Sequence, residues 1–130
     1  MEVIICPNED RVAEVAAAKA AKIAQQIGPK VVLGVATGSS PVKTYRELVK
    51  LVAAGELDLS EASAFALDEY VGIAEGHPES YHEVIHRTVT VPLGLDPARV
   101  HVPNGFAADL STAGEDYEAA IRAAGGVDIQ

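Results

Sequence analysis

Two short segments of this 130-residue chain pair a turn suited to an anion with a carboxylate: Thr37-Gly38-Ser39-Ser40-Pro41 and Leu67-Asp68-Glu69-Tyr70-Val71-Gly72. In the first, a glycine able to take positive φ, or to let a ligand approach the backbone, precedes two hydroxyls and a proline placed for the first turn of a helix. Free N–H groups and the positive end of the helix dipole make Gly38, Ser39 and Ser40 candidate phosphate-binding residues. A plain strand-to-helix connection with a good N-cap would carry the same residues. The spacing matches neither GxGxxG nor the P-loop, which argues against a nucleotide. Asp68 follows an apolar run directly, where a carboxylate could take a proton from carbon, or could be a solvated loop acid or a cap. Glu69 is the weaker candidate, because adjacent residues of an extended chain face apart.

A third pattern competes with these. His82-Glu83-Val84-Ile85-His86 matches HExxH, the zinc-protease spacing, with both histidines on one face of an expected helix. A catalytic zinc needs a third protein ligand. No HxxGxxH extension follows, and His101 and Glu115 stand at untypical distances, so no metal is expected. His77 reads as a loop residue or cap.

The elements that would position these residues alternate. Val3 to Cys6 is a short apolar run ended by Pro7. Val12, Val15, Ala16, Ala20, Ile23 and Ile27 then recur at helical spacing until Gly28-Pro29. Val31 to Ala36 is continuously apolar, as in a parallel strand covered on both faces, which makes it central. Ser40 caps a second helix with Val42, Tyr45, Leu48, Val49 and Val52 on one stripe, ending near Gly55. Ser63 to Leu67 forms a strand, residues 68–77 a loop, and Ser80 with Glu83 a capping box opening a helix to about Arg87. Val100 to Val102 is a strand, and Ser111 caps a last helix bearing Tyr117, Ala120, Ile121 and Ala124. Gly125-Gly126 stops that helix, and Val127-Asp128-Ile129-Gln130 begins a fifth strand. The order β-α-β-α-β-α-β-α-β predicts an α/β fold: an open, mostly parallel, Rossmann-like sheet with helices on both faces. The expectation is a single domain over 1–130, incomplete because the chain stops inside the fifth strand.

Composition limits the function classes. With 48% hydrophobic residues the chain can bury a real core, and 5% aromatics with no Trp suits alanine-rich helices packed closely on a sheet. A formal net charge of −9 leaves no basic footprint for nucleic acid or an anionic membrane, so neither is expected as a partner. An anionic metabolite would need local compensation, for which Lys43 is a nearby cation. Cys6 is the single cysteine, read as a core thiol, so no disulfide within the chain is expected. With no signal-like segment and no apolar span of about 20 residues, a cytoplasmic protein is expected.

Taken together, the Thr37–Pro41 turn, the Leu67–Gly72 segment and His77-Pro78-Glu79-Ser80-Tyr81 with His86-Arg87 resemble glucosamine-6-phosphate deaminases over the whole chain. The resemblance implies that Gly38, Ser39 and Ser40 hold the substrate phosphate and that Asp68 accepts the proton in an enolisation. It implies conversion of glucosamine 6-phosphate to fructose 6-phosphate and ammonia with no cofactor, and a homo-oligomer at full length. It treats the His82–His86 helix as structural. In the family the chain runs on into a Gly-Asp-Gly-His type loop carrying the ring-opening histidine, so these 130 residues are expected to be an N-terminal portion, inactive by itself. The rival readings are a 6-phosphogluconolactonase-like hydrolase of the same superfamily, or a sugar-phosphate-binding module without catalysis.

Overall fold

The computed structural model describes residues 2–130. Helix α1 spans Glu9–Ile27, strand β1 Val32–Val35, helix α2 Ser39–Ala53 and strand β2 Ser63–Ala66. A composite helix follows: α3 over Tyr81–Ile85, a π-helical turn over His86–Thr90, and α4 over Val91–Leu93. A 3-10 turn at Pro97–Arg99 leads into β3, Val100–His101, and α5 covers Leu110–Ala123. The sheet is parallel in the order β1-β2-β3, with Val35 opposite Ala66 and Phe65 opposite His101.

Residues 127–129 run along the free edge of β1, where Gly34 N–H donates to the Ile129 carbonyl (2.7 Å) and Asp128 N–H to that of Val32 (2.9 Å). Leu33 and Ile129 form a parallel bridge, so β1 is flanked on both sides, as its unbroken apolar run predicts. The Asp128 carboxylate reinforces the pairing by accepting from Val32 N–H at 2.8 Å.

Alternation along β2 shows that both faces are covered. Ala64 and Ala66 join the main core with Ala17, Leu48, Ile85, Val89 and Leu93. Phe65 points the other way, stacking on His101 (4.6 Å between centroids) and meeting Tyr117 of α5 edge-on at 5.7 Å. The Tyr117 hydroxyl donates to the Ala66 carbonyl (2.7 Å) and also lies 3.1 Å from that of His101, tying α5 across two strand ends. Burial raises that phenol's pKa against the opposing Ala66 hydrogen bond.

Several expectations are corrected. Val3 to Cys6 is not a strand: Val3 and Ile5 are 72% and 93% exposed, and the segment has no ladder partner among the described residues, without which an extended run is only coil. Cys6 there is half-buried rather than in the core. On α1 the buried stripe is Ala13, Ala17, Ala21 and Ala24, while Val12, Ile23 and Ile27 are exposed. Small side chains let α1 approach its neighbours closely, and the larger ones are left on the outer flank. The helix expected to end near Arg87 runs on to Leu93, because Val89, Thr90 and Leu93 are buried and the π-turn re-phases them toward the core. Two caps also move: Gly38, not Ser40, precedes α2, and Asp109, not Ser111, caps α5, its carboxylate accepting from Ser111 N–H (2.9 Å) and Oγ (2.6 Å).

Candidate active site

The turn after β1 and the segment after β2 leave the same end of the sheet from adjacent strands. Leu67 N–H donates to the Val35 carbonyl (3.2 Å), continuing the ladder to the point where both chains turn away. Gly38 has φ 102° and ψ 175°, and open space surrounds the position of a Cβ, so it is the backbone angle that demands glycine. No side chain caps the α2 N-terminus among the described residues, and Ser39 and Ser40 are exposed there. Tyr45, one and a half turns into α2, reaches back to the strand end. Its hydroxyl donates to the Ala36 carbonyl (2.9 Å) and accepts from Ala36 N–H (3.0 Å). Burial raises the Tyr45 pKa, with the Ala36 bond opposing, so the phenol stays neutral and able to make both bonds.

Ser39, Ser40 and Lys43 share a cleft of about 350 Å³ with Glu9, Val12, Ala13 and Thr44. Asp68 is not in its wall; it stands exposed at the neighbouring strand end. Lys43 does not offer a free charge. Its ammonium pairs with Asp10 (2.7 Å) and Glu9 (3.1 Å) in the first turn of α1, which raises its pKa and surrounds it with two carboxylates. The two oxyanions oppose a phosphate as much as the lysine attracts one, so local compensation from Lys43 is largely cancelled.

Glu69 is the residue that sequence reasoning undervalued. Its Oε1 accepts from Tyr70 N–H (2.8 Å) and Tyr81 N–H (3.0 Å), and Oε2 accepts from His82 N–H (2.9 Å). Partial burial would raise its pKa, but the backbone donors of Tyr81, His82 and Tyr70 outweigh that and hold it below the ordinary value. The expected cap at Ser80 is present beside it: the buried hydroxyl accepts from Glu83 N–H (3.1 Å) and donates to the Glu75 carbonyl (2.6 Å). His77 closes the preceding turn, its Nδ1 accepting from Glu79 N–H at 3.1 Å. The loop after β3 lies against the same segment, with Gly72 N–H donating to the Gly105 carbonyl at 3.0 Å. A Cβ on Gly105 would collide with the Tyr70 carbonyl oxygen.

Among the described residues, no three His, Cys, Asp or Glu converge on one point, at the HExxH histidines or elsewhere. His101 is stacked on Phe65, and Glu115 is exposed on α5. His82 Nδ1 is buried without a hydrogen-bond partner among the described residues. Tyr45, Glu69 and Gly105 carried no sequence signal for these roles, because each acts on backbone groups from which local patterning is blind.

These features define an open parallel α/β protein with no side-chain cap on the α2 N-terminus and an exposed carboxylate after the neighbouring strand, both at the carboxyl end of the sheet, the end at which such sheets bind ligands. The chain belongs to the glucosamine-6-phosphate isomerase/6-phosphogluconolactonase family, whose sequence model matches residues 7–130. It is 50% identical over its whole length to glucosamine-6-phosphate deaminase of Cutibacterium acnes, covering 49% of that protein, and 42% identical to that of Streptomyces coelicolor, again covering 49%. The chain thus spans about half the length of the curated relatives it matches. A solved monomeric glucosamine-6-phosphate deaminase superposes with TM-score 0.93 at 33% identity, over all of this chain and 54% of that one. The 6-phosphogluconolactonase of Thermotoga maritima superposes at 0.70 with 19% identity, over 95% of this chain and 53% of the other, a likeness of fold.

Proposed function

We propose that the protein acts as a glucosamine-6-phosphate deaminase. The observation that supports this reading is the pairing of β1 with β2: with Val35 opposite Ala66, the Gly38–Ser40 turn and the Asp68 segment follow neighbouring strand ends, in a chain about half identical to deaminases along its whole length. The sugar phosphate lies on Gly38, Ser39 and Ser40, whose N–H groups and hydroxyls meet its oxyanions at the positive end of α2. Asp68 accepts the proton from C2 of the opened sugar and returns it to C1. The C2 imine then takes up water and loses ammonia, leaving fructose 6-phosphate.

This reading makes the protein a cytoplasmic hydrolase of amino-sugar breakdown that needs no cofactor. It also holds that residues 1–130 assayed alone release no ammonia, since no Gly-Asp-Gly-His segment occurs within them. Whether the natural-length protein assembles as a homo-oligomer is decided by sedimentation. The functional test is Asp68→Asn in the protein at its natural length, which keeps shape and removes basicity. Ammonia release from glucosamine 6-phosphate should fall by about two to four decades. Near-normal release would refute the assignment, and hydrolysis of 6-phosphogluconolactone with no ammonia release would establish the lactonase reading instead.

A further inference from the structure

The N-terminus of α3 presents four backbone donors that the helix itself cannot satisfy, and each has an identified acceptor. Ser80 N–H goes to the His77 carbonyl (2.9 Å) and Glu83 N–H to Ser80 Oγ (3.1 Å). The remaining two, Tyr81 and His82, go to Glu69, twelve and thirteen residues earlier in the chain (3.0 and 2.9 Å). Because Glu69 also accepts from Tyr70 N–H (2.8 Å), its carboxylate is held by three backbone donors.

That commitment acts on its neighbour. On one side of Asp68, Leu67 N–H is fixed to the Val35 carbonyl (3.2 Å) at the end of the sheet. On the other, Glu69 is fixed to α3, and three residues further Gly72 is fixed to the carbonyl of Gly105 (3.0 Å), a position where only glycine fits beneath Tyr70. The backbone carrying Asp68 is therefore held from both directions. The Glu69 side chain is drawn toward α3, and Asp68 beside it is exposed.

We propose that Glu69 is a positioning residue for the reaction, fixing the direction of the Asp68 carboxylate by anchoring the adjoining backbone to the N-terminus of α3. The inference rests on the reading of Asp68 as proton acceptor. Helix capping alone would account for the bonds to Tyr81 and His82, but it would leave proton transfer untouched. A misplacement of about 1 Å in a reacting group can cost roughly a hundredfold in rate.

The test uses Glu69→Ala and Glu69→Gln in the protein at its natural length, with amide hydrogen exchange and steady-state kinetics on glucosamine 6-phosphate. Glu69→Ala should accelerate exchange at Tyr81 and His82 and lower kcat by roughly tenfold to a hundredfold. KM should stay within about twofold, because the phosphate turn is untouched. Glu69→Gln keeps one oxygen for Tyr70 and Tyr81 and should recover part of kcat; being the milder change, it carries the test if the alanine variant does not fold. Accelerated exchange with unchanged kcat would overturn the proposal, as would unchanged exchange at both amides. Full turnover by Asp68→Asn would instead defeat the underlying base assignment, so the two failures are distinguishable.

Discussion

The Tyr45 hydroxyl makes two hydrogen bonds to a single residue, donating to the carbonyl of Ala36 at 2.9 Å and accepting from its N–H at 3.0 Å. Ala36 is the last residue before the Thr37–Ser40 turn, so a side chain on α2 fixes the point where β1 gives way to the turn that leads into α2. Tyr45→Phe removes both partners and leaves two half-buried backbone groups unpaired. It should lower stability by about 1 to 2 kcal/mol. On the proposed reading it should also weaken binding of fructose 6-phosphate more than binding of unphosphorylated fructose, as calorimetry would show. Equal effects on both ligands would mean that the turn does not hold the phosphate.

The pairing of Lys43 with Glu9 and Asp10 leads to a prediction of opposite sign on two measurements. Neutralising both acids as Glu9→Gln with Asp10→Asn frees the ammonium in the cleft beside Ser39 and Ser40. Inorganic phosphate should bind a few-fold more tightly, with the gain shrinking as salt screens the exposed lysine. The melting temperature should fall slightly, since both acids also favour the positive end of α1. Unchanged phosphate affinity at low salt would place the anion elsewhere.

Much of the frame was legible because punctuation and periodicity are local. Pro41 after the hydroxyls, Gly55, Ser80 with Glu83, and the glycine pair at 125–126 each mark an element boundary close to where it lies. The continuous apolar run of β1 announced a strand flanked on both sides, which residues 127–129 complete. What failed depended on the partner surface. On α1 the large apolar residues suggested one stripe, but close packing selected the alanines at 13, 17, 21 and 24. Val3 to Cys6 has strand composition, yet a ladder needs a neighbour that sequence alone does not supply. In the candidate site, Gly38 and Asp68 are proposed from local chemistry. Glu69 reads as the weaker candidate by a rule for extended strands, but β2 ends at Ala66, and Glu69 turns to the α3 N-terminus because its Tyr81 and His82 donors lie there.

The depressed pKa of Glu69 gives a pH dependence with a definite sign. In the unfolded chain its value is the ordinary one of about 4.5, and in the folded protein it is lower because three backbone N–H groups stabilise the carboxylate. The ionised form is favoured by folding, so its contribution is fully present above pH 4.5 and is lost as pH falls through the folded value. Denaturant unfolding of the parent and Glu69→Gln should therefore show a stability gap that is constant near neutrality and closes on acidification below that point. A gap that widens toward acid would contradict the hydrogen-bonding scheme at Tyr81 and His82.

The last prediction concerns apolar surface. A groove of about 360 Å³ runs between α1, β1 and α2, lined by Ala20, Ile23, Leu33, Tyr45, Leu48 and Ile129 among others. Close by in sequence, Val3 and Ile5 are strongly exposed. An apolar groove with large aliphatic side chains left uncovered nearby is the surface composition that drives association in water. The sheet adds to this, because the pairing on that side of β1 is a single bridge between Leu33 and Ile129, and strand edges recruit further strands. Residues 1–130 purified alone should therefore sediment as concentration-dependent oligomers. Ile5→Asp with Ile23→Lys should shift them toward the monomer by placing charge on two exposed apolar positions. A chain that stays monomeric across a hundredfold range of concentration would show that these surfaces are too small or too shallow to associate.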